Sequence, residues 1–411
     1  MTLSPEAGRN GLKKEIPAFR FSRPPSADAT IPITLYNPIF SQFQDDCKTY
    51  EPTTRDHDFA LNLSSSMSIY YDDEKERAKQ ARKDFGHYDL EFVASQINGY
   101  RTDGDLRWKS FSVAIINMKP ELCLGSAEPL LEAAWYYIAL TRDHLEANPG
   151  SHLPCAHIGF AGAIWTDRPH LQVLAPTLPL FCHASDDDMR MQIARCLGAT
   201  KKAILALKDY YEFELPHITA LRPHLAFPHP SKYHSLDGAT THEFKYLSHL
   251  DEDKLVFCGA VDNDKICIKF VRRYSMEAHV RCSSLGFAPT LKGFERIPGG
   301  WYIVVMDFIE DEYHNLETSP DKASFESEVR VSVESLHEAG FVHGDIRSAN
   351  IMVKKDGSPG IMILDFDWAG LAGQVKYPMG VNDIDIRRPN GAQDNEFIMV
   401  EHDIEMLNYM F

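Results

Sequence analysis

Between positions 343 and 370 the chain reads HGDIRSANIMVKKDGSPGIMILDFDWAG, and this stretch limits the fold more than any other. Ile351, Met352 and Val353 are apolar and suited to a strand. The KKDGSPG run at 354–360 supplies Asp, Gly, Ser and Pro for a turn, and IMIL at 361–364 returns as a second strand. Antiparallel strands joined by a short turn have their open ends side by side. The hairpin therefore brings the segment before Ile351 and the segment after Leu364 to one end of a small sheet. Three polar residues gather there: Asp345 and Asn350, separated by four residues, and Asp365.

Those residue types suit phosphoryl transfer, which asks a protein mainly for positioning and charge neutralisation. Asp345 is placed to accept or orient the proton of an attacking hydroxyl. Mg²⁺ prefers hard oxygen ligands, and the amide oxygen of Asn350 and the carboxylate of Asp365 meet that preference. The stretch resembles the protein-kinase-like superfamily, with its H-x-D-x-x-x-x-N catalytic loop. Gly344 stands where most protein kinases have Arg, giving the HGD form familiar from aminoglycoside and choline kinases and from many fungal kinase-like proteins. Asp367 stands where protein kinases have Gly.

The resemblance extends over about residues 244–411. Positions 244–270 read as two or three antiparallel strands ending in ICIKF, similar to the V-A-I-K strand, which assigns Lys269 to the ATP phosphates. A short helix over 274–285 carries Glu277 as the implied ion-pair partner of Lys269. The strand at 301–306 runs into Met306-Asp307-Phe308-Ile309, similar to the hinge that receives adenine through backbone groups of Asp307 and Ile309. Phe325, Val329, Val333 and Leu336 mark one face of a helix that Gly340 ends. Near the end of the chain Asp403 matches the acid that steadies the catalytic loop, together with His343. Two features depart from the family. The turn at 249–254 (HLDEDK) has three acids and no Gly where kinases cover the phosphates with a Gly-rich loop, and only 41 residues follow Gly370. The expectation is a truncated bilobal kinase-like domain using ATP and Mg²⁺. The acceptor is left open between a protein Ser/Thr and a small molecule.

The 411 residues allow two ordinary domains, and eight scattered Cys without a C-x-x-C pair favour a reducing, intracellular setting, cytoplasm or nucleus. A formal charge of −17 repels nucleic acid and anionic membrane. No run approaches the roughly 18 apolar residues of a membrane span, and no signal peptide is visible.

Residues 1–55, rich in Pro, Ser and Thr, read as an arm with little structure of its own. A charged helix is expected over 72–84, a strand over 111–116, an amphipathic helix over 130–145, short strands near 156–160, 163–165 and 171–174, and a long helix over 189–211 with Asp186, Asp187 and Asp188 at its positive end. The Pro-rich segment 216–240 reads as a linker. Residues 105–213 resemble the restriction-endonuclease-like domain found ahead of such kinase domains in Crinkler-like proteins. That family holds Mg²⁺ with an upstream acid and a Glu-x-Lys strand. Here Asp103 or Asp105 is the upstream acid, Asn117 replaces the Glu, Lys119 is the lysine, and Glu132 lies near the usual Gln. The loss of a charge at Asn117 implies a degenerate, non-cleaving domain over 56–215. The fold class expected is thus α/β plus α+β: a mixed α/β nuclease-like domain, then the kinase-like domain over 241–411. Three readings stay open: a phosphotransferase, a pseudokinase or binding module without turnover, and a metal-dependent nuclease.

Overall fold

Asn37 and Pro38 start the first long helix. The Asn37 side chain accepts from the amide of Ile39, and Pro38 occupies the first helical turn, where its missing N–H costs nothing. This helix, α2 (Pro38–Thr49), follows a short turn of helix, α1 (Ile33–Tyr36). Ile33, Leu35, Phe40 and Phe43 are all buried. The expected arm over 1–55 is therefore corrected: from Ile31 onward it is part of the core, because an Asn-Pro cap starts a helix that apolar periodicity alone did not announce. The structure, a computed structural model, describes residues 20–21, 31–97, 100–118, 129–145, 147–148, 150–183, 185–217, 226–251 and 253–411.

The chain divides into two compact units, Met1–His229 and Pro230–Phe411. In the first, β1 (Arg20–Phe21) precedes α1 and α2. Then come α3 (Thr54–Met67), closed at its start by a Thr53/Asp56 capping box, and α4 (Glu74–His87). A small ribbon, β2 (Gln96–Ile97) and β3 (Tyr100–Arg101), leads to β4 (Gly104–Trp108), β5 (Phe111–Ile116), α5 (Pro129–Leu145), β6 (Cys155–Ile158), β7 (Ala161–Trp165), β8 (Pro169–Val173) and the long α6 (Asp187–Asp209). The six-stranded sheet has the order β1-β8-β7-β6-β5-β4. β5 and β6 run parallel, which requires the crossover that α5 provides. Ile115, Cys155, Ala163 and Leu171 pack with Ala134 and Tyr137 of α5, while α6 packs against β5 and β6. β5 is consequently buried along its length after Phe111, as a strand covered on both faces must be. Asp186 caps α6 by accepting from the Met189 amide.

The second unit begins inside the expected linker. β9 (Lys232–His234) and β10 (Thr241–Glu243) pair antiparallel, and Tyr233 is buried. The linker is thus shortened; residues 218–225 of it lie outside the described residues. A five-stranded antiparallel sheet follows, built from β11 (Lys245–Asp251), β12 (Val256–Val261), β13 (Asp264–Val271), β14 (Leu291–Ile297) and β15 (Trp301–Asp307) in the order β11-β12-β13-β15-β14. Helix α7 (Met276–Ser284), capped by Ser275, is inserted between β13 and β14. Beyond β15 lie β16 (Tyr313–Asn315), α8 (Glu326–Glu338), β17 (Phe341–Val342), the hairpin β18 (Ile351–Lys354) and β19 (Ile361–Ile363), β20 (Gly370–Leu371) and α9 (Val400–Met410). One apolar cluster joins Val329, Val333 and Leu336 of α8, Ile351, Val353 and Ile363 of the hairpin, Met406 and Leu407 of α9, and Ala278 and Cys282 of α7. Among the described residues no helix is long and apolar enough to cross a membrane.

Candidate functional site

The hairpin register, Ile351 opposite Ile363, sets Asn350 and Leu364 side by side, and the Leu364 amide donates to the Asn350 carbonyl at 2.9 Å. The next residue, Asp365, has φ of 70°, a left-handed conformation that Asp tolerates better than most side chains. These residues close the polar end of a cleft of about 500 Å3, within the usual range for small-molecule sites. Val256 and Cys267 line the cleft from the five-stranded sheet, Met352 and Leu364 from the hairpin, and Met306 to Glu310 along the connecting segment. In that segment the Asp307 amide donates to Thr290 at 3.0 Å. The Asp307 carboxylate pairs with Lys292 at 2.8 Å, and of its backbone groups the carbonyl is the one not already engaged by Thr290. The Ile309 amide has no hydrogen-bond partner among the described residues.

The loop that carries Asp345 is held from below. Asp403 is fully buried and accepts from the amides of His343 (2.7 Å) and Gly344 (2.8 Å) and from His337 Nε2 (3.0 Å). Three donors satisfy a buried carboxylate that would otherwise be costly. His343 Nε2 donates to the Leu364 carbonyl at 2.9 Å, and its Nδ1 accepts from the Asp345 amide at 3.3 Å. Gly344 has φ of +82°, and a Cβ there would stand 2.8 Å from Ile398 Cδ1. Gly in the HGD triplet thus avoids the strain that a side chain would meet in this left-handed backbone.

Asp345 receives three side chains. Asn350 Nδ2 donates to its Oδ2 at 2.8 Å and to its carbonyl at 2.9 Å, Arg347 Nε donates to Oδ2 at 3.0 Å, and Arg388 Nη1 donates to Oδ1 at 2.7 Å. With both amide hydrogens on Asp345, Asn350 has its side-chain oxygen left to offer a cation. The Arg388 side chain is only 5% exposed, and its guanidinium lies over the Trp368 ring at 5.0 Å.

Lys269, on β13, points to the same end. Its Nζ lies 2.6 Å from Asp365 Oδ1 and 2.6 Å from Asp367 Oδ1, and Lys254 approaches Asp365 Oδ2 at 3.4 Å. Burial works against the charge of Lys269, but the two carboxylates outweigh it and hold the ammonium above its usual range. Burial also raises Asp365, yet Lys269 and then Lys254 draw it below the ordinary carboxylate range. Asp367 moves the other way, because burial and the neighbouring charge of Asp365 outweigh the attraction of Lys269.

One expected pair is corrected. Glu277 lies exposed on the first turn of α7 and does not pair with Lys269. The phase of α7 turns Ala278, His279 and Cys282 inward, so Glu277 faces out. Four residues that contact these side chains were not expected: Asp367, Arg347, Lys254 and Arg388. The second acid of D-F-D was a visible signal for Asp367. Arg388, 43 residues from Asp345, had none.

In the first unit the resemblance's site residues are engaged locally. Asp105 is 1% exposed and pairs with Arg107, Asp103 accepts from the Met118 amide at 2.7 Å, and Asn117 Nδ2 donates to Glu132 at 3.2 Å. Lys119 lies outside the described residues. Among the described residues no group of three or more His, Cys, Asp or Glu could hold a metal ion; at Asn350 and Asp365 a Mg²⁺ shell would be completed by water or ligand oxygens.

No family model matches the chain, and no curated protein matches it. Among solved structures, the chain is similar to the Cydia pomonella granulovirus kinase PK-1, at 14% identity over 41% of this chain and 69% of that one, with a TM-score of 0.30. It is also similar to vaccinia related kinase 3, at 17% identity over 45% and 67%, with a TM-score of 0.33. Likeness at that level decides nothing about chemistry, and the functional reading rests on the geometry of the cleft.

Proposed function

We propose that the second unit is a kinase-like phosphotransferase that uses ATP and Mg²⁺, with a protein Ser/Thr or a small molecule as acceptor. The observation that carries this is the convergence of Asn350, Asp365 and Lys269 at one end of a cleft that Val256, Cys267, Met306, Met352 and Leu364 also line, with Asp345 bonded directly to Asn350. ATP would supply the phosphoryl group, and Mg²⁺ would neutralise charge on it. Asn350 and Asp365 would hold the metal, and Lys269 would meet phosphate oxygens. Backbone groups of Asp307 and Ile309 would receive the adenine edge, and the apolar walls would exclude water from the base. Asp345 would take the proton of the acceptor hydroxyl, once Arg388 yields an oxygen. The test is a thermal-shift titration with ATP, with and without Mg²⁺. A ligand that binds only the folded state raises the midpoint by mass action. A rise that needs Mg²⁺ and disappears in Asp365→Ala supports the proposal; no rise at any concentration overturns it.

One observation favours a second reading, a binding module without turnover. Both carboxylate oxygens of Asp345 are occupied, and the turn between β11 and β12 is acidic. ATP binding without ADP formation in the presence of candidate acceptors would select that reading. For the first unit we propose a non-cleaving domain, because Asp103, Asp105 and Asn117 already have protein partners.

A further inference from the structure

Lys269 is the cation on which the proposed site depends, and its surroundings differ from what the sequence implied. We propose that Asp367 is the positioning residue of Lys269, taking the part that the family resemblance assigned to Glu277. The inference rests on the phosphotransferase reading for its purpose, but not for its geometry.

An ammonium has three hydrogens. In Lys269 one points to Asp365 and one to Asp367, each at 2.6 Å. The side chain is 11% exposed, and the Tyr274 ring lies 5.8 Å from Nζ. If Asp365 is a metal ligand, it cannot also serve as the permanent counter-ion of the lysine. A second carboxylate is then needed, or a buried cation loses its partner each time metal binds. Asp367 is two residues away on the same loop and meets that need. The other charges nearby are Lys254, which approaches Asp365, and Arg273, whose charge Asp367 also supports.

The helix that would normally provide the partner is engaged differently. His279, fully buried on the inner face of α7, stacks on Phe366 with ring centres 4.8 Å apart and planes at 7°. Its Nε2 contacts the Pro289 carbonyl at 2.7 Å, and its Nδ1 contacts the Tyr274 hydroxyl at 2.7 Å. A carbonyl only accepts, so Nε2 carries the hydrogen. Burial keeps the ring neutral, so Nδ1 accepts from Tyr274. The helix therefore grips the D-F-D loop through Phe366, and the Ser275 amide donates to the Phe366 carbonyl at 3.1 Å. Lysine and helix are connected through the loop, not by an ion pair.

The experiment reads Lys269 directly. The full chain, free of nucleotide and with EDTA present, is treated with limiting acetic anhydride at fixed pH, and acetylation of Lys269 is followed by peptide mass spectrometry. Asp367→Asn should speed acetylation about tenfold, the equivalent of one charge-assisted hydrogen bond released from Nζ. Asp367→Glu should stay close to the wild type, and Glu277→Gln should leave the rate unchanged. Faster acetylation in Glu277→Gln, or an unchanged rate in a folded Asp367→Asn, overturns the proposal. If Asp367→Asn does not fold, the Glu277→Gln and Asp367→Glu rates decide. A second arm measures Mg-ATP binding. Asp367→Asn should weaken it with the Mg²⁺ requirement unchanged, whereas a shifted Mg²⁺ requirement would make Asp367 a metal ligand and overturn the proposal. Absence of any nucleotide binding would defeat the phosphotransferase reading alone, because the acetylation result needs no nucleotide.

Discussion

The two units treat their acids in opposite ways. In the first, Asp105 is closed by Arg107, Asp103 by a backbone amide, and Glu132 by Asn117. In the second, Asp365 and Asp367 share one lysine at the end of an open cleft, and Asp345 is held by Arg347 and Asn350 of its own loop and by Arg388 from a distant segment. An acid with a fixed local donor supports structure. Acids that share one cation can change partners when a ligand arrives. The contrast explains why similar residue types suggest a cofactor site in one unit and a structural role in the other.

The strongest way to break this contrast is through Asp403, the acid of the second unit that belongs with the structural kind. Asp403→Ala leaves two backbone amides and His337 without an acceptor. It should cost about 3 kcal/mol or more, read from the unfolding of the C-terminal unit in urea. An unchanged midpoint would remove Asp403 from the support of the loop. Asp345→Ala should act on chemistry instead. Turnover should fall about 10²-fold or more while nucleotide binding stays nearly intact, measured as ADP formation beside calorimetric binding. Turnover indifferent to this change would sink the assignment of the base. Lys269→Ala should weaken Mg-ATP binding by about 1.5–3 kcal/mol, the scale of hydrogen bonds to charged groups.

A smaller effect is expected in the first unit. His157 is buried, with its pKa pushed down to about 3 by that burial. Because the folded form refuses a proton that the unfolded chain accepts, stability falls as pH drops below about 6.5 and goes on falling toward about 3. The loss between pH 7 and pH 5 should be at most about 2 kcal/mol. His157→Leu should flatten that part of the profile in a chemical-unfolding series; a slope equal to the wild type would show the ring to be solvated. The smallest effect is none at all. The full chain should not cleave DNA or RNA with Mg²⁺ or Mn²⁺, and cleavage abolished by Lys119→Ala would erase the contrast between the units.

The elements were legible where local chemistry and burial agree. The hairpin around 354–360 has turn residues between apolar runs, and α5 and α6 have regular apolar faces, so each lies within a few residues of its expected place. The start of the chain was less legible, because α1 is a single turn whose four residues are all buried and show no alternation. At the cleft, Asp345, Asn350 and Asp365 were readable from their spacing around the hairpin. The partner of Lys269 was not, since it depends on which way α7 is rotated about its axis. Arg388 was invisible for a related reason. Its segment has no periodicity, and only the folded path of residues 376–399 carries it to Asp345.

Ala278 and Cys282 place α7 in the same apolar cluster as α8 and the hairpin, although the chain enters α7 from the five-stranded sheet. Cooperative opening follows packing more closely than it follows chain order. In amide hydrogen exchange, α7 should therefore gain and lose protection together with α8, β18 and β19, not with β11 and β12. The second unit would then divide, as an unfolding system, on the sheet side of α7 and not along the cleft.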